Sequence, residues 1–276
     1  MSTPTPTTAT AAATSSFRSL VLPREHGSWS LALEPVALGL LIAPSRASLF
    51  LALAVVAGFF TRRPLKLVAI LSSADPRRAA ALRWTLVFVA IALAALLASA
   101  LLGNVPIKQQ SSFAPLWPLL LAAPFGGAFL WFDLRGEMRE AEAELAGSTA
   151  FALVPATFAT LAGWSAAPAL ALAALMLARS APTVLTVRAY LRLAKNKPAH
   201  PASALASALL SFVGVAALAA SGLAPLTACA LVAVLAARSA WLLSPLAPTW
   251  SARHAGMLEA ALGLVYLGGL ALAYRA

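Results

Sequence analysis

The sequence predicts an all-α membrane protein, a polytopic bundle of about nine transmembrane helices, and three observations support this fold class. Hydrophobic residues make up 61% of the 276 residues and charged residues only 11%, which is too apolar for a water-soluble domain. Apolar segments recur along the chain between prolines, glycines and charged residues. Lys and Arg are concentrated in alternate connections between these segments, as expected of a chain that crosses a bilayer repeatedly.

The chain is predicted to contain a tail and one domain. Residues 1–22 are expected to form a disordered cytoplasmic tail, because the first sixteen residues carry no charge and no apolar block. A signal peptide would need a basic start and an apolar core. Residues 23–276 are expected to form a single transmembrane helical domain. Its apolar segments, in order, cover residues 28–44, 46–61, 83–102, 115–132, 147–163, 167–187, 203–221, 224–243 and 256–274.

The positions of the basic residues predict the orientation. The connections outside the apolar segments fall into a basic set and an alternate set that holds only Arg46 and Lys108. The positive-inside rule places the basic set and the amino terminus in the cytoplasm. The net charge of +11 does not indicate nucleic acid, because the basic residues form no stripe with interleaved aromatic residues.

Glu34 and Arg179 are predicted to face each other inside the membrane. At a rise of ~1.5 Å per residue, Glu34 lies on the order of 10 Å beyond the membrane entry near Gly27. An ionised carboxylate is costly there without a partner, and Arg179 lies at a similar depth in its own segment. The pair is either a structural ion pair or part of a polar site. Pro35 and Pro182 are expected to free backbone carbonyl groups nearby.

His26 and Glu34 are the candidate catalytic residues. His26, Ser30 and Glu34 follow one another at four-residue spacing and so share one helix face. An imidazole above a buried carboxylate could relay protons or bind an anionic head group. The alternative is that His26 is an interfacial anchor.

The segment FDLRGEMREAEAELAG, residues 132–147, is the acidic cluster of the chain and the candidate metal site. If it is helical, Glu140 and Glu144 form a like-charge pair that destabilises the helix. A divalent cation, or the basic connections, would offset this repulsion. The alternative is a solvated helix in which Arg139 pairs with Glu142. The candidate metal ligands are Asp133, Glu137, Glu140 and Glu144.

Two basic connections, FFTRRPLK and VRAYLRLAKNKP, are predicted to bind an anionic ligand. Arginine's planar fork suits phosphate and carboxylate groups, so these connections could hold a phosphorylated amphiphile. Contact with anionic lipid head groups is the alternative. With the buried arginine, the candidate ligand-binding residues are Arg62, Arg63, Lys66, Arg179, Arg188 and Arg192.

The segments PREHGSW, RRPLK, DLRGEMREAEAELAG and RAYLRLAK resemble the YwiC-like family of bacterial membrane proteins, over nearly all of residues 20–276. This resemblance implies a bacterial inner membrane. The span count and loop arrangement also resemble the nine-helix bundle of UbiA-type prenyltransferases, which hold magnesium and a polyprenyl diphosphate on aspartate-rich connections. Here those connections read TRRPLK and RAYLRLAK, so the resemblance implies a UbiA-like cavity without the magnesium clamp.

These patterns favour one function and leave two alternatives. The favoured function is binding, either alone or followed by transformation, of an anionic isoprenoid or lipid-like molecule in a cytoplasm-facing cavity, in contact with membrane lipids. One alternative is a small-anion transporter in which Glu34 and Arg179 couple transport. The other is an assembly partner of a respiratory membrane complex.

Overall fold

The computed structural model describes residues 17–22, 27–103, 113–137 and 140–275. Within these ranges the chain forms eleven α-helices and one short 3-10 turn, and no strand. The helices are α1 (Phe17–Val21), α2 (Gly27–Ile42), α3 (Arg46–Ile70), α4 (Pro76–Leu102), α5 (Trp117–Arg135), α6 (Ala141–Ala152), α7 (Val154–Leu161), α8 (Ala166–Leu193), α9 (Pro201–Ala220), α10 (Thr227–Leu242) and α11 (Ala252–Ala273). The 3-10 turn, Ala114–Leu116, leads directly into α5.

The all-α polytopic fold is confirmed. In the described residues, seven helical segments are long and apolar enough to cross a membrane. They are α3, α4, α5 with its 3-10 turn, α6 with α7, α8, α9 and α11. Two shorter apolar helices, Ala32–Ile42 within α2 and Thr227–Leu242, complete the set. Together they correspond to the nine apolar segments of the sequence.

Several helix boundaries differ from the prediction. Helix α3 continues through the TRRPLK sequence to Ile70, and α8 continues through Arg188 and Arg192 to Leu193. The basic residues assigned to connections therefore project from helix ends, because Arg, Lys and Leu are good helix formers and a helix need not end where the apolar run ends. The segment predicted at 147–163 is instead two helices, divided at Leu153, and Pro155 occupies the first turn of α7, where its missing N–H costs little.

Residues Phe17–Val21, which were predicted to belong to a disordered tail, form helix α1. Arg63 of α3 donates from Nε and Nη2 to the Ser19 carbonyl oxygen at 2.9 and 2.7 Å. The Phe17 ring packs edge-on against Trp84 of α4, with centroids 4.9 Å apart. These contacts with α3 and α4 hold α1 in place, and they cannot be predicted from its five residues alone. Residues 1–16 lie outside the described residues.

Contacts between helix ends place the ends of several spans on two opposite sides of the bundle. At one end, Lys66 contacts Asp133 and Arg188 contacts Glu140. At the other end, the Thr160 hydroxyl donates to the Pro115 carbonyl oxygen at 2.5 Å. We call the first of these the basic end. It carries α1, residues 136, 137 and 140, and the connections 71–75, 194–200 and 243–251.

The core surrounds α7 and α8. Phe158, Leu161, Leu172 and Leu175 are completely buried there. Helix α2 approaches this core through Gly39, at which an added Cβ would lie 2.4 Å from the Phe158 ring. Helix α8, which carries Arg179, is therefore covered on several sides, so that a charged residue in its middle must find partners inside the protein.

Candidate functional site

The charged residues that lie inside the predicted spans, away from their ends, all meet in one cluster. We define the charge cluster as Glu34 of α2, Arg179 of α8, Arg238 of α10 and Glu259 of α11. Glu34 and Glu259 each follow the start of their helix by seven residues. At ~1.5 Å per residue this places both carboxylates about 10 Å along their helices, at a common level.

The two arginines bridge the two glutamates. Arg179 Nη2 lies 3.4 Å from Glu34 Oε1, and Arg179 Nη1 lies 3.4 Å from Glu259 Oε2. Arg238 Nη2 lies 3.0 Å from the same Glu259 oxygen. Arg179 also donates to the Glu259 carbonyl oxygen at 2.7 Å. Each charge therefore has an opposite charge beside it, as a membrane interior requires.

Thr183 connects the two guanidinium groups. Its hydroxyl oxygen accepts from Arg179 Nη1 at 2.5 Å and from Arg238 Nη2 at 2.9 Å. The hydroxyl itself donates to the Arg179 carbonyl oxygen at 2.7 Å, one turn earlier in α8. The four-residue spacing of Arg179 and Thr183 places both on one helix face. Two like charges are thus held near a shared neutral acceptor.

Gly263 of α11 allows Glu34 to approach that helix closely. A Cβ at this position would lie 2.4 Å from Glu34 Oε1 and 3.0 Å from Arg179 Nη2. Glu259 and Gly263 are four residues apart, so that the carboxylate and the gap occupy the same face of α11. The next residue on that face, Tyr266, is buried and donates from its hydroxyl to the Leu175 carbonyl oxygen at 2.7 Å.

The predicted proximity of Glu34 and Arg179 is confirmed by their 3.4 Å contact. Helices α2 and α8 continue through Pro35 and Pro182 rather than breaking there. Sequence reasoning missed Arg238 and Glu259, although the signal was present. Both are charged residues inside predicted spans, and the depth argument that singled out Glu34 applies equally to them.

At the basic end, Asp133 pairs with two of the predicted anion ligands. Its carboxylate, 3% exposed, accepts from Arg62 Nε and lies 2.9 Å from Lys66 Nζ. The Arg62 guanidinium also lies 5.0 Å from the centroid of the Phe129 ring. The predicted cation-binding role of Asp133 is therefore opposed by its surroundings, because a metal ion would have to displace two positive side chains.

In the part of the chain that the structure describes, the other candidate metal ligands of the acidic segment form no hydrogen bond with Asp133. Arg188 of α8 lies 3.5 Å from Glu140 and 3.8 Å from Glu144, and so offsets their mutual repulsion. Glu137 is exposed after the end of α5. In the described parts of the chain, no group of three or more His, Cys, Asp or Glu side chains could hold a metal ion. The four-carboxylate metal site is thus not assembled there.

A cavity of about 280 Å³ opens at the basic end between the starts of α6 and α9 and the last turns of α8. Arg188 and Arg192 line it from α8, and the adjacent apolar positions Leu185 and Ala189 lie on the same helix. Glu140 and Glu142 line it from the start of α6, and His200 and Ser203 from α9. Nothing in the sequence distinguishes His200, which is a lone histidine directly before α9.

The predicted ligand arginines do not converge on one place. Arg188 and Arg192 line this cavity, whereas Arg62 and Lys66 are held by Asp133. Arg63 donates to α1. His26 and Arg139 lie outside the described residues, so their predicted roles stay predictions.

The apolar helices, with charges gathered inside the bundle and at one end, define a polytopic helical membrane protein. Residues 22–158 match the family described as YwiC-like protein. Through this segment, just under half of the chain, the protein is similar to the YwiC-like family. PREHGSW, RRPLK and DLRGEMREAEAELAG lie within the match, and RAYLRLAK lies beyond it. Neither a curated protein nor a solved structure matches the chain.

Proposed function

We propose that this protein binds an anionic lipid-like molecule, such as an isoprenoid phosphate, in the cavity at the basic end. The cavity lined by Arg188, Arg192 and His200 is the observation that carries the proposal. Guanidinium groups bind phosphate and carboxylate through paired hydrogen bonds. The apolar positions Leu185 and Ala189 continue the same wall and suit the first carbons of a chain.

The ion pairs around Arg188 are compatible with an incoming anion. Its distances to Glu140 and Glu144, 3.5 and 3.8 Å, exceed those of strong charge-assisted hydrogen bonds, which are roughly 2.7–2.9 Å. The Glu140 side chain is 59% exposed and can turn toward water when a ligand arrives. At about 280 Å³ the cavity is slightly smaller than typical ligand sites, which have volumes of ~300–1,000 Å³. It suits a head group, with the chain lying along the bundle.

Replacing Arg188 or Arg192 with glutamine is expected to reduce co-purifying ligand about tenfold or more. A hydrogen bond to a charged group contributes ~1.5–3 kcal/mol, and each substitution removes at least one. Lipids extracted from the purified protein would be identified and quantified by mass spectrometry. Arg253→Gln, an exposed arginine at the start of α11 and outside the cavity lining, is the matched control. Bulk phospholipid alone, unchanged in Arg188→Gln, would contradict the proposal.

The proposal includes a location, the bacterial inner membrane with the basic end in the cytoplasm. It is supported by the excess of Lys and Arg at that end. Cys229 is the single cysteine, so Cys229→Ala provides a background for labelling. Ser72 is exposed at the basic end and Ser221 at the opposite end. A membrane-impermeant maleimide is expected to label S221C in spheroplasts and S72C only after lysis. The reverse pattern would invert the orientation.

A further inference from the structure

The charge cluster contains buried polar atoms that its own members do not satisfy. The Arg238 side chain is 4% exposed, and its Nε and Nη1 atoms have no hydrogen-bond partner among the described residues. The same holds for Glu259 Oε1 and Arg179 Nε. Buried polar atoms in native proteins are nearly always paired, and ion-pair networks that only fix packing share this property. The cluster therefore has donors and an acceptor left for a small polar guest.

The net charge of the cluster limits what such a guest can be. Two glutamates and two arginines give a formal net charge of zero. An anion alone would leave one uncompensated negative charge in the membrane interior, which is costly. An anion that enters with one proton leaves the net charge at zero. Anion binding and proton uptake should therefore be linked at this site.

We propose that the charge cluster binds one small monovalent anion together with one proton, with Arg238 donating to the anion and Glu259 accepting the proton. Glu259 Oε2 is occupied by both arginines, whereas Oε1 has no partner among the described residues. A proton added at Oε1 leaves the contacts of both arginines with Oε2 in place but neutralises the carboxyl group, so that the bound anion supplies the negative charge that Arg238 loses there. No covalent bond is made or broken apart from this O–H bond, which forms on binding and breaks on release. This site is separate from the lipid cavity and does not depend on it.

The surroundings of the cluster limit the size of the ligand that it could bind. The Glu34 and Glu259 side chains are 14% and 12% exposed, compared with 3% and 4% for Arg179 and Arg238, so the carboxylate side of the cluster is the less deeply buried one, although Glu259 Oε1 itself is buried. The close approach of Glu34 to Gly263 leaves little room on α11. The other titratable group of α11 at this level, Tyr266, is engaged with the Leu175 carbonyl oxygen and does not compete.

The test is the thermal stability of the purified full chain in detergent, followed by tryptophan fluorescence. Chloride, nitrate and formate would each replace gluconate at constant ionic strength, from pH 5 to pH 8. A small anion is expected to raise Tm, because a ligand that binds only the native state stabilises it. Linkage to one proton makes the apparent affinity rise about tenfold per pH unit of acidification. No anion effect at any pH would overturn the proposal.

Three variants separate binding from a purely structural role. Arg238→Gln is expected to abolish the anion effect. Glu259→Gln, which imitates the protonated carboxyl, is expected to retain anion binding but lose its pH dependence. Arg253→Gln should behave as the parent. If Arg238→Gln does not fold, the pH dependence of Glu259→Gln decides alone, and an unchanged slope there would overturn the proposal. Arg188→Gln tests the lipid cavity and should leave the anion effect intact, so the two proposals can fail independently.

Discussion

Replacing Arg179 with methionine is expected to lower the free energy of unfolding by about 3–5 kcal/mol, because it removes one partner from a buried ion-pair network. Glu34 loses its one charged partner among the described residues, and the cluster acquires a net negative charge. Unfolding would be followed by tryptophan fluorescence during titration with SDS in mixed micelles. Arg253→Met, at an exposed position, should change stability by less than ~0.5 kcal/mol.

A double substitution tests whether charge balance is the cause. Combining Glu34→Gln with Arg179→Met restores zero net charge, since Arg238 and Glu259 remain paired at 3.0 Å. The double variant should therefore be more stable than Arg179→Met alone, although it carries one more substitution. Simple addition of the two losses would show that packing around Arg179, rather than its charge, accounts for the effect.

The charge cluster shows how much can be predicted from the depth of a charged residue within its span, which the sequence gives. A charged residue in an apolar span must find a partner at its own level, and this reasoning alone paired Glu34 with Arg179. It could not choose among several partners. Arg179 also reaches Glu259, because α11 packs beside both α2 and α8. Sequence position gives the depth of a residue along its helix but not the neighbouring helix that the residue faces.

The acidic segment shows where sequence proximity misleads. Asp133 and Glu140 are close in sequence, which suggested one metal site. Gly136, with φ of +79°, ends α5 in a left-handed conformation, so that Glu140 is not a continuation of that helix. Asp133 therefore stays among the helices beside Arg62, while Glu140 faces Arg188 across a different groove. One backbone reversal separated carboxylates that a continuous helix would have kept on one side.

The two basic segments show the same limit on a larger scale. Both were predicted to hold one ligand, and both do lie at the basic end. Their partners differ because α3 runs beside α5, which supplies Asp133, whereas α8 runs beside α6 and α9, which enclose the cavity. The common end followed from charge alternation along the chain. One basic segment is neutralised by Asp133 and the other lines the cavity. This difference depends on which helices pack side by side, and the alternation of charge along the chain does not encode it.

Replacing Gly263 with alanine is expected to destabilise the protein by roughly 1–3 kcal/mol, the usual cost of forcing extra atoms into a packed site. The new Cβ would lie 2.4 Å from Glu34 Oε1, so that the carboxylate must move away from Arg179. Gly268 in the same helix is the matched control, because a Cβ there meets nothing within 4 Å. Gly268→Ala should be neutral or stabilising by up to ~1 kcal/mol, since alanine favours helix. Of the two substitutions, only Gly263→Ala is thus expected to destabilise the protein.

The cause of the Gly263 effect can be separated into shape and charge. Glu34→Ala removes the atom that the new Cβ would strike, whereas Glu34→Gln keeps an atom of similar size there. The loss caused by Gly263→Ala should therefore shrink in the Glu34→Ala background and persist in the Glu34→Gln background, measured as double-mutant coupling energies from SDS unfolding. Equal losses in both backgrounds, or equal effects of Gly263→Ala and Gly268→Ala in the parent, would show that Glu34 does not occupy the gap on α11. If the loss caused by Gly263→Ala persists only in the Glu34→Gln background, the small residue at position 263 is what allows the membrane-buried carboxylate of Glu34 to reach Arg179.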